Sequence, residues 1–307
     1  MTTIIKKRIR IKWKNLIAFS IFVFLLLFGI IQLIICIVKV LNPPKVVKEK
    51  QVTARKISSN KDIKLKKLDN IDKEIDYFNM NYLDKYVLYK EKNKEMPTKQ
   101  VIKNVNMNLD RDFYKNPIKA RNLNTNIIIV NKYYYLDNNY VPDNLESIST
   151  RFALSNMKMV KEAKKSFEEM ASTAKKENLN IIAMSTYRSY EYQVNLYNRY
   201  VKNDGKEKAD TYSGRPGYSE HQTGLAVDVY NGKENYTNFG KTKEFEWMSK
   251  HAHEYGFILR FPKDKETETG YNYESWHYRY VGKEIAEYIK EHNISFEEYY
   301  ATIIKDW

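Results

Sequence analysis

Residues 219–228, Ser-Glu-His-Gln-Thr-Gly-Leu-Ala-Val-Asp, decide the fold because they join a turn to a strand that carries polar groups. Gly224–Val229 alternates as strands do. A turn at Gln222–Gly224 brings His221 back over the start of this strand, on the side of Asp228. We therefore expect these two side chains to lie close together, although their spacing also fits an ordinary loop histidine and a strand-end aspartate.

A second motif, Glu-Ser-Trp-His at residues 274–277, adds one carboxylate and one imidazole. Side chains three positions apart on a strand point to opposite faces, so we expect Glu274 on the loop before a strand and His277 within the strand. Alone, they also fit a solvated glutamate and a buried core histidine. Together, the two motifs hold the inventory of a zinc hydrolase: three protein ligands, an open position for water and a general base.

A third motif, Tyr-Arg-Ser-Tyr-Glu-Tyr-Gln at residues 187–193, falls at a predicted strand-to-helix junction. Arg188 can bind a carboxylate there through two hydrogen bonds or stabilise an oxyanion, and a surface salt bridge is the alternative. Residues 213–217, Ser-Gly-Arg-Pro-Gly, form turns. We expect these turns to place Ser213 and Ser219 at the rim of a cleft.

The formal net charge of +14 is concentrated at one end of the chain. Residues 1–75 contain 17 lysines and arginines against 5 acidic residues, whereas the other residues contain 35 against 33. Basic residues next to an apolar segment bind anionic lipid and determine topology. We therefore expect no binding of DNA or RNA.

The segment from Leu16 to Val38 contains 23 residues without a charge, which is long enough to span a hydrocarbon core as a helix. Basic residues are denser before it than directly after it, so residues 1–15 are predicted to be cytoplasmic and the later chain extracytoplasmic. A cleaved signal peptide is the alternative. Its apolar core is normally shorter than this segment, and no small-x-small cleavage site occurs near the end of the segment. We expect an uncleaved single-pass anchor at residues 16–38 and a polar tether at residues 39–70.

The rest of the chain, residues 71–307, is predicted to form a helical N-terminal part at about 71–120 and a core at about 121–307. Strands follow one another without a helix between every pair, which favours an α+β fold with a central antiparallel sheet over a doubly wound parallel sheet. The pattern predicts helices at residues 71–100, 156–176, 190–202 and 244–255, and a capping box at 295–298 that opens a last helix. It predicts strands at residues 126–130, 181–187, 224–229, 257–261 and 276–281.

Two absences in the sequence narrow the function classes. Cys36 is the only cysteine, which excludes an intrachain disulfide. No GxGxxG or GxxxxGK[ST] pattern occurs, so nucleotide-dependent chemistry has no support. The cysteine-free exported part and the abundance of Lys, Asn and Ile fit a low-GC Gram-positive bacterium.

Taken together, these motifs resemble the VanY-type D,D-carboxypeptidases, zinc peptidases that trim the D-Ala–D-Ala stem of peptidoglycan. The specific combination is Ser-x-His-x6-Asp with Glu-x-x-His and an upstream Tyr-Arg-Ser-x3-Gln. The matching segments cover most of the extracytoplasmic part: 86–90, 105–110, 126–131, 187–193, 213–228, 256–260, 270–271 and 274–282.

The resemblance implies roles for individual residues. It makes His221, Asp228 and His277 the ligands of one zinc ion and Glu274 the catalytic base. Arg188 is implied in catalysis and substrate binding, and the other implied substrate contacts are Gln193, Ser213 and Ser219. The family's usual Gly and Pro are replaced here by Thr186 and Ser275, but neither change removes a functional side chain.

The function implied is a membrane-anchored D,D-carboxypeptidase that removes the terminal D-Ala from peptidoglycan stem peptides. An L,D-carboxypeptidase acting on the tetrapeptide stem would use the same metal machinery and differ in its pocket. A non-catalytic wall-binding module is a third interpretation, and Glu274 argues against it because zinc binding alone needs no base. The sequence contains no signal for or against an oligomer.

Overall fold

The computed structural model describes residues 13–41 and 59–306. Most of the predicted basic tail and residues 42–58 of the predicted tether lie outside the described residues. The chain divides into two compact units between Lys66 and Lys67. The C-terminal unit contains every residue that the sequence predicts to be functional.

The N-terminal unit contains helix α1, Trp13–Leu41, whose described apolar side chains, such as Phe24 and Leu25, are exposed. The predicted anchor at residues 16–38 falls on α1, although the side chains at 16–19 lie outside the described residues. Over the residues that the structure describes, no helix has the length and apolarity that crossing a membrane requires. The anchor therefore stays a prediction.

The C-terminal unit begins with helices where the sequence predicts one continuous helix at residues 71–100. The structure has helix α2 at Leu83–Lys92 and helix α3 at Thr98–Asn106, preceded by short 3-10 turns. The break follows from Pro97, because a proline disfavours helical backbone at the residue before it. Within α2, Tyr86 is fully buried.

Eight short strands form three sheets within the described chain. The strands are β1 Ile118–Lys119, β2 Tyr134–Tyr135, β3 Leu145–Ser147, β4 Lys158–Val160, β5 Ile182–Ser185, β6 Ala226–Tyr230, β7 Phe257–Leu259 and β8 His277–Tyr280. The central sheet has the order β5-β6-β8-β7, with every neighbouring pair antiparallel. The predicted α+β fold with a central antiparallel sheet is confirmed.

Further helices follow along the C-terminal unit. They are α4 Lys161–Lys176, α5 Tyr190–Asp204, α6 Lys206–Ala209, α7 Lys243–His251, α8 Glu266–Thr269, α9 Lys283–His292 and α10 Phe296–Tyr299. Helix α4 contributes the fully buried Phe167 to the core that also contains Val227 and Val229 of β6 and Tyr278 of β8. One face of the central sheet is therefore apolar and packed, which leaves the other face for polar groups.

Two sequence predictions about these elements are wrong. Residues 158–160 form β4 instead of the first turn of the predicted helix, because they pair with β3. Residues 126–130 are not a strand, although Ile128, Ile129 and Val130 are buried. The carbonyl oxygens of Asn126 and Ile128 accept hydrogen bonds from Arg279, so a guanidinium takes the place of a neighbouring strand.

The register of the central sheet positions the candidate site. Asp228 in β6 lies opposite His277 in β8 on one side and opposite Ser185 in β5 on the other. The 3-10 turn Glu220–Thr223 lies directly before β6 and ends at Gly224, which has a φ of 69°. Glycine tolerates this left-handed conformation without strain, so the predicted turn before the strand is confirmed.

Candidate active site

His221, Asp228 and His277 form a buried cluster in which one potential ligand atom from each residue lies within 4.8 Å of the others. Nε2 of His221 is 3.3 Å from Oδ2 of Asp228, and Nδ1 of His277 is 3.0 Å from Oδ1 of Asp228. The two imidazole rings are nearly perpendicular, with an interplanar angle of 89°. The turn, β6 and β8 therefore bring together the three residues that the sequence proposes as ligands.

The backbone determines which nitrogen of His221 faces the cluster. Its Nδ1 lies 2.6 Å from the carbonyl oxygen of Thr186, which can only accept a hydrogen bond. Nδ1 therefore carries the hydrogen, and Nε2 keeps its lone pair towards Asp228. A hydrogen bond of this kind from the second ring nitrogen is the usual arrangement for a metal-binding histidine.

Burial and neighbouring charges shift the pKa values of all three residues in the cluster. Burial opposes ionisation of His277, but its contacts with Asp228 and Glu220 outweigh burial and raise its pKa to about 9. Burial and the nearby Arg188 lower the pKa of His221 to about 4, so this imidazole is neutral. The pKa of Asp228 lies well below its usual value, because its charged and hydrogen-bonding neighbours outweigh its burial.

These donors fit a zinc ion. Two imidazole nitrogens and one carboxylate oxygen are a ligand set that catalytic zinc accepts, with a fourth position left for water or substrate. Oδ1 of Asp228 is buried and has no hydrogen-bond partner among the described residues. A buried acceptor without a partner is costly, and a bound cation would satisfy it.

Glu274 lies beside this cluster but is not a member of it. It precedes β8 as the sequence predicts, and its Oε2 is 3.7 Å from Nδ1 of His277. Burial is the main cause that raises the pKa of Glu274 to about 8, with a contribution from the charge of Asp228. A carboxyl group with this pKa, next to a metal site, can accept and return a proton near neutral pH.

Arg188 follows β5 and points its guanidinium at the cluster. Its Nη2 donates to Oδ2 of Asp228 at 2.6 Å, and its Nε donates to Oγ of Ser185 at 2.9 Å. Two of its five N–H donors are used in these two bonds. Arg188 forms a salt bridge, as one of the two interpretations holds, but the pair is largely buried and lines the same cavity as the cluster.

A cavity of about 480 Å³ opens over the cluster. The predicted contact residues Gln193, Ser213 and Ser219 all line it. Nε2 of Gln193 donates to the carbonyl oxygen of Gly214 at 2.7 Å, which holds the turn that carries Ser213. Oε1 of Gln193 is buried and has no hydrogen-bond partner among the described residues, so it can accept one from a ligand.

Four further residues of the site were not identified from the sequence patterns. Tyr236, Tyr271, Trp276 and Glu220 also line the cavity, and Oε2 of Glu220 lies 3.6 Å from Nε2 of His277. Glu220 is 3% exposed, which requires charged partners from elsewhere in the chain. One such partner is indicated by the sequence: Arg279 stands between two tyrosines in a predicted strand, where a charged residue needs a buried counter-charge.

The residues of the sheet and the cluster fall within a segment that matches a family model. Residues 156–283 match the model of VanY, described as D-alanyl-D-alanine carboxypeptidase. The putative carboxypeptidase YodJ of Bacillus subtilis is 38% identical over 66% of this chain and 79% of its own length. This chain belongs to the VanY family.

One further relative and two solved structures are also similar to this chain. A D-alanyl-D-alanine carboxypeptidase of Enterococcus faecium is 34% identical over 57% of this chain and 57% of its own length. The structure of the LD-carboxypeptidase LdcB is 38% identical, covers 62% of this chain and 94% of LdcB, and has a TM-score of 0.58. A Zn(II) complex of the D,D-pentapeptidase VanY from a VanB-type resistance cassette is 29% identical over 57% of this chain and 98% of that one, with a TM-score of 0.50.

A measurement of zinc affinity distinguishes the three proposed ligands from their neighbour Glu274. We expect Asp228→Asn to weaken zinc binding by more than about 100-fold, because the amide replaces the anionic ligand with a neutral group. The matched change Glu274→Gln is expected to alter zinc affinity less than about tenfold, below the effect of losing a hydrogen-bond partner of a ligand, because Glu274 lies 3.7 Å from Nδ1 of His277 and is not a member of the cluster. Competition with a chromophoric chelator measures both affinities, and equal losses in the two variants would contradict this assignment of ligands.

Proposed function

We propose that this protein is a zinc-dependent D,D-carboxypeptidase that removes the terminal D-Ala from peptidoglycan stem peptides. The single observation that carries the proposal is the buried Glu274 beside a cluster of two histidines and one aspartate. The description of the matched family and the substrate named for the VanY pentapeptidase support the choice of substrate. The position of Glu274 favours an enzyme over a wall-binding module, because metal binding alone needs no base.

The chain's own residues divide the reaction between them. His221, Asp228 and His277 would hold the zinc ion, which supplies polarisation of the scissile carbonyl and a lower pKa for water. Glu274 takes the proton from the attacking water and delivers it to the amine of the leaving D-alanine. Burial raises the proton affinity of Glu274, and a more basic carboxylate accepts a proton from water more readily.

Arg188 contributes positive charge at the same place. Its ion pair with Asp228 keeps the guanidinium within the cavity, where its remaining donors can bind an anionic oxygen. This oxygen belongs either to the developing oxyanion or to the terminal carboxylate of the substrate. In both cases, the arginine acts from a partly buried position, where electrostatic contacts are stronger than in bulk water.

An L,D-carboxypeptidase is the second candidate, and the likeness to LdcB favours it specifically. In both reactions, the leaving group is a D-alanine with a free carboxylate. The difference lies in the residue before the scissile bond, which is a small D-alanine in the pentapeptide and a long L-diamino acid in the tetrapeptide.

A paired assay distinguishes the two candidates. We expect the purified zinc-loaded protein to release D-Ala from a stem pentapeptide with kcat/KM at least about tenfold above that for the tetrapeptide, a ratio that one pocket contact can produce. A chelator should abolish both activities, and Glu274→Gln provides the background. Preference for the tetrapeptide would establish the L,D reaction, and no release from either peptide by folded, zinc-loaded protein would overturn the proposal.

The role of Arg188 is tested with Arg188→Lys, which keeps the charge but loses the planar fork of donors. We expect kcat/KM for the favoured peptide to fall about 100-fold, the lower end of what loss of one oxyanion donor costs. The matched control is Arg199→Lys on the same cavity wall, and we expect it to change kcat/KM less than about threefold. If Arg188→Lys lowers kcat alone, the arginine binds the developing oxyanion. If it raises KM alone, the arginine binds the terminal carboxylate of the substrate. Equal effects of the two variants would contradict a special role for Arg188.

We further propose that the protein acts outside the cytoplasmic membrane, anchored through residues 16–38 with its N-terminus inside. The charge-free run at 16–38 and the basic residues before it support this topology. The proposed substrate is also a component of the cell wall. The protein should stay with membranes during alkaline carbonate extraction and be cleaved by protease added to intact protoplasts, and release into the soluble fraction would refute the anchor.

A further inference from the structure

The two ring nitrogens of His277 face different carboxylates. Nδ1 lies 3.0 Å from Asp228, and Nε2 lies 3.6 Å from Oε2 of Glu220. Both Nε2 of His277 and Oε2 of Glu220 are buried, and neither has a hydrogen-bond partner among the described residues. Two buried polar atoms that face each other and lack other partners are expected to pair.

We propose that Glu220 is a positioning residue for the metal site. It accepts a hydrogen bond from Nε2–H of His277, which keeps this imidazole in the tautomer whose Nδ1 lone pair is available to the metal. The inference rests on the proposed zinc site and adds a residue outside its three ligands. The separation of 3.6 Å is a few tenths of an ångström longer than a hydrogen bond, so the proposed bond requires the two atoms to approach by that amount.

The other oxygen of Glu220 is already fully engaged. Oε1 accepts from Nε of Arg260 at 2.8 Å and from Nη1 of Arg279 at 2.9 Å. The side chains of both arginines are completely buried. Because Oε1 is held by two rigid donors, the carboxylate plane is fixed, and Oε2 stays directed at His277.

Each arginine is held in turn by groups that do not touch the metal cluster. Arg260 donates from Nη1 and Nη2 to the two oxygens of Glu297, at 2.8 and 2.6 Å. Arg279 donates from Nη2 to the carbonyl oxygens of Asn126 and Ile128. The position of Glu220 is therefore set by contacts that reach the C-terminal helix α10 and the buried segment at residues 126–130.

Only a carboxylate satisfies this arrangement. Position 220 must present an acceptor to two arginine donors at one atom and an acceptor to His277 at the other. A glutamine has one acceptor and one donor. Either its NH2 group faces the arginines, or it faces Nε2 of His277 and drives the hydrogen onto Nδ1, the atom that the metal needs.

The proposal is tested with Glu220→Gln and Glu297→Gln in the full-length chain. Both changes remove one negative charge from the same buried network, but Glu297 does not contact His277. We expect Glu220→Gln to weaken zinc binding about 10- to 100-fold, as loss of an outer-shell partner does. We expect Glu297→Gln to lower the unfolding temperature but to change zinc affinity less than about threefold, since it leaves the tautomer of His277 unaffected.

The results separate this inference from the proposed function. Competition with a chromophoric chelator gives zinc affinity without any measurement of activity. Zinc binding by the wild type with equal affinity in Glu220→Gln would overturn the positioning role and leave the zinc site standing. Equal losses in both variants would assign the effect to the network's charge and also overturn it. A wild type that binds no zinc would overturn both proposals.

A measurement on the wild type covers the case in which Glu220→Gln does not fold. In the zinc-loaded protein labelled with 15N-histidine, we expect His277 to show a slowly exchanging hydrogen on Nε2 and a metal-bound Nδ1. Its resonance is assigned through contacts with Phe261, whose ring centroid is 4.8 Å from that of His277. Coordination through Nε2, or a hydrogen on Nε2 that exchanges rapidly with water, would overturn the inference.

Discussion

The pairing of β6 with β8 is the constraint on which the rest of this structure depends. It places Asp228 opposite His277 and Ala226 opposite Arg279. Since side chains alternate along a strand, His277 and Arg279 face the polar side, while Tyr278 and Tyr280 join the apolar core. A slip of one residue would turn both polar groups into the core, so packing and site geometry enforce the same register.

A group of buried charges supports the polar face of the sheet. Burying an ion is costly unless its partners satisfy all of its hydrogen-bonding groups. Glu220 and Glu297 accept hydrogen bonds from all three nitrogens of Arg260, and Glu220 with the carbonyl oxygens of residues 126, 128 and 280 accepts from all three nitrogens of Arg279. The group connects the turn before β6 with the ends of β7 and β8 and with α10. These buried ion pairs therefore fix the polar face of the sheet next to the cluster of His221, Asp228 and His277.

The cavity side of the cluster has a different character. Glu274 is buried and forms no ion pair with an arginine of the described residues, and its pKa rises to about 8, mainly through burial. Glu220 is equally buried, but two arginines hold its pKa below the usual range. The same residue type therefore has a lowered proton affinity at position 220 and a raised one at position 274. This contrast is what a hydrolytic site needs, because positioning and proton transfer require opposite proton affinities.

Much of this molecule follows from local sequence. The alternation at residues 224–229, Gly224 before it and the spacing of Glu274 and His277 predict two strands, a turn and a cluster of ligands. The boundaries of elements were less predictable: Pro97 divides a predicted helix, and residues 158–160 pair with β3. Local patterns describe which backbone conformations are allowed, but not which neighbour a segment meets.

The sequence by itself determined the inventory of the site, since histidine, aspartate and glutamate at these spacings carry the chemistry wherever they meet. Only the tertiary structure decided the role of Glu220, the burial of Arg279 and the non-strand backbone at residues 126–130. Glu220 and its partners Arg260 and Arg279 are 40 and 59 positions apart in the chain. Whether such a carboxylate is solvated or fixed depends on the charges that folding brings to it, and no local pattern contains that information.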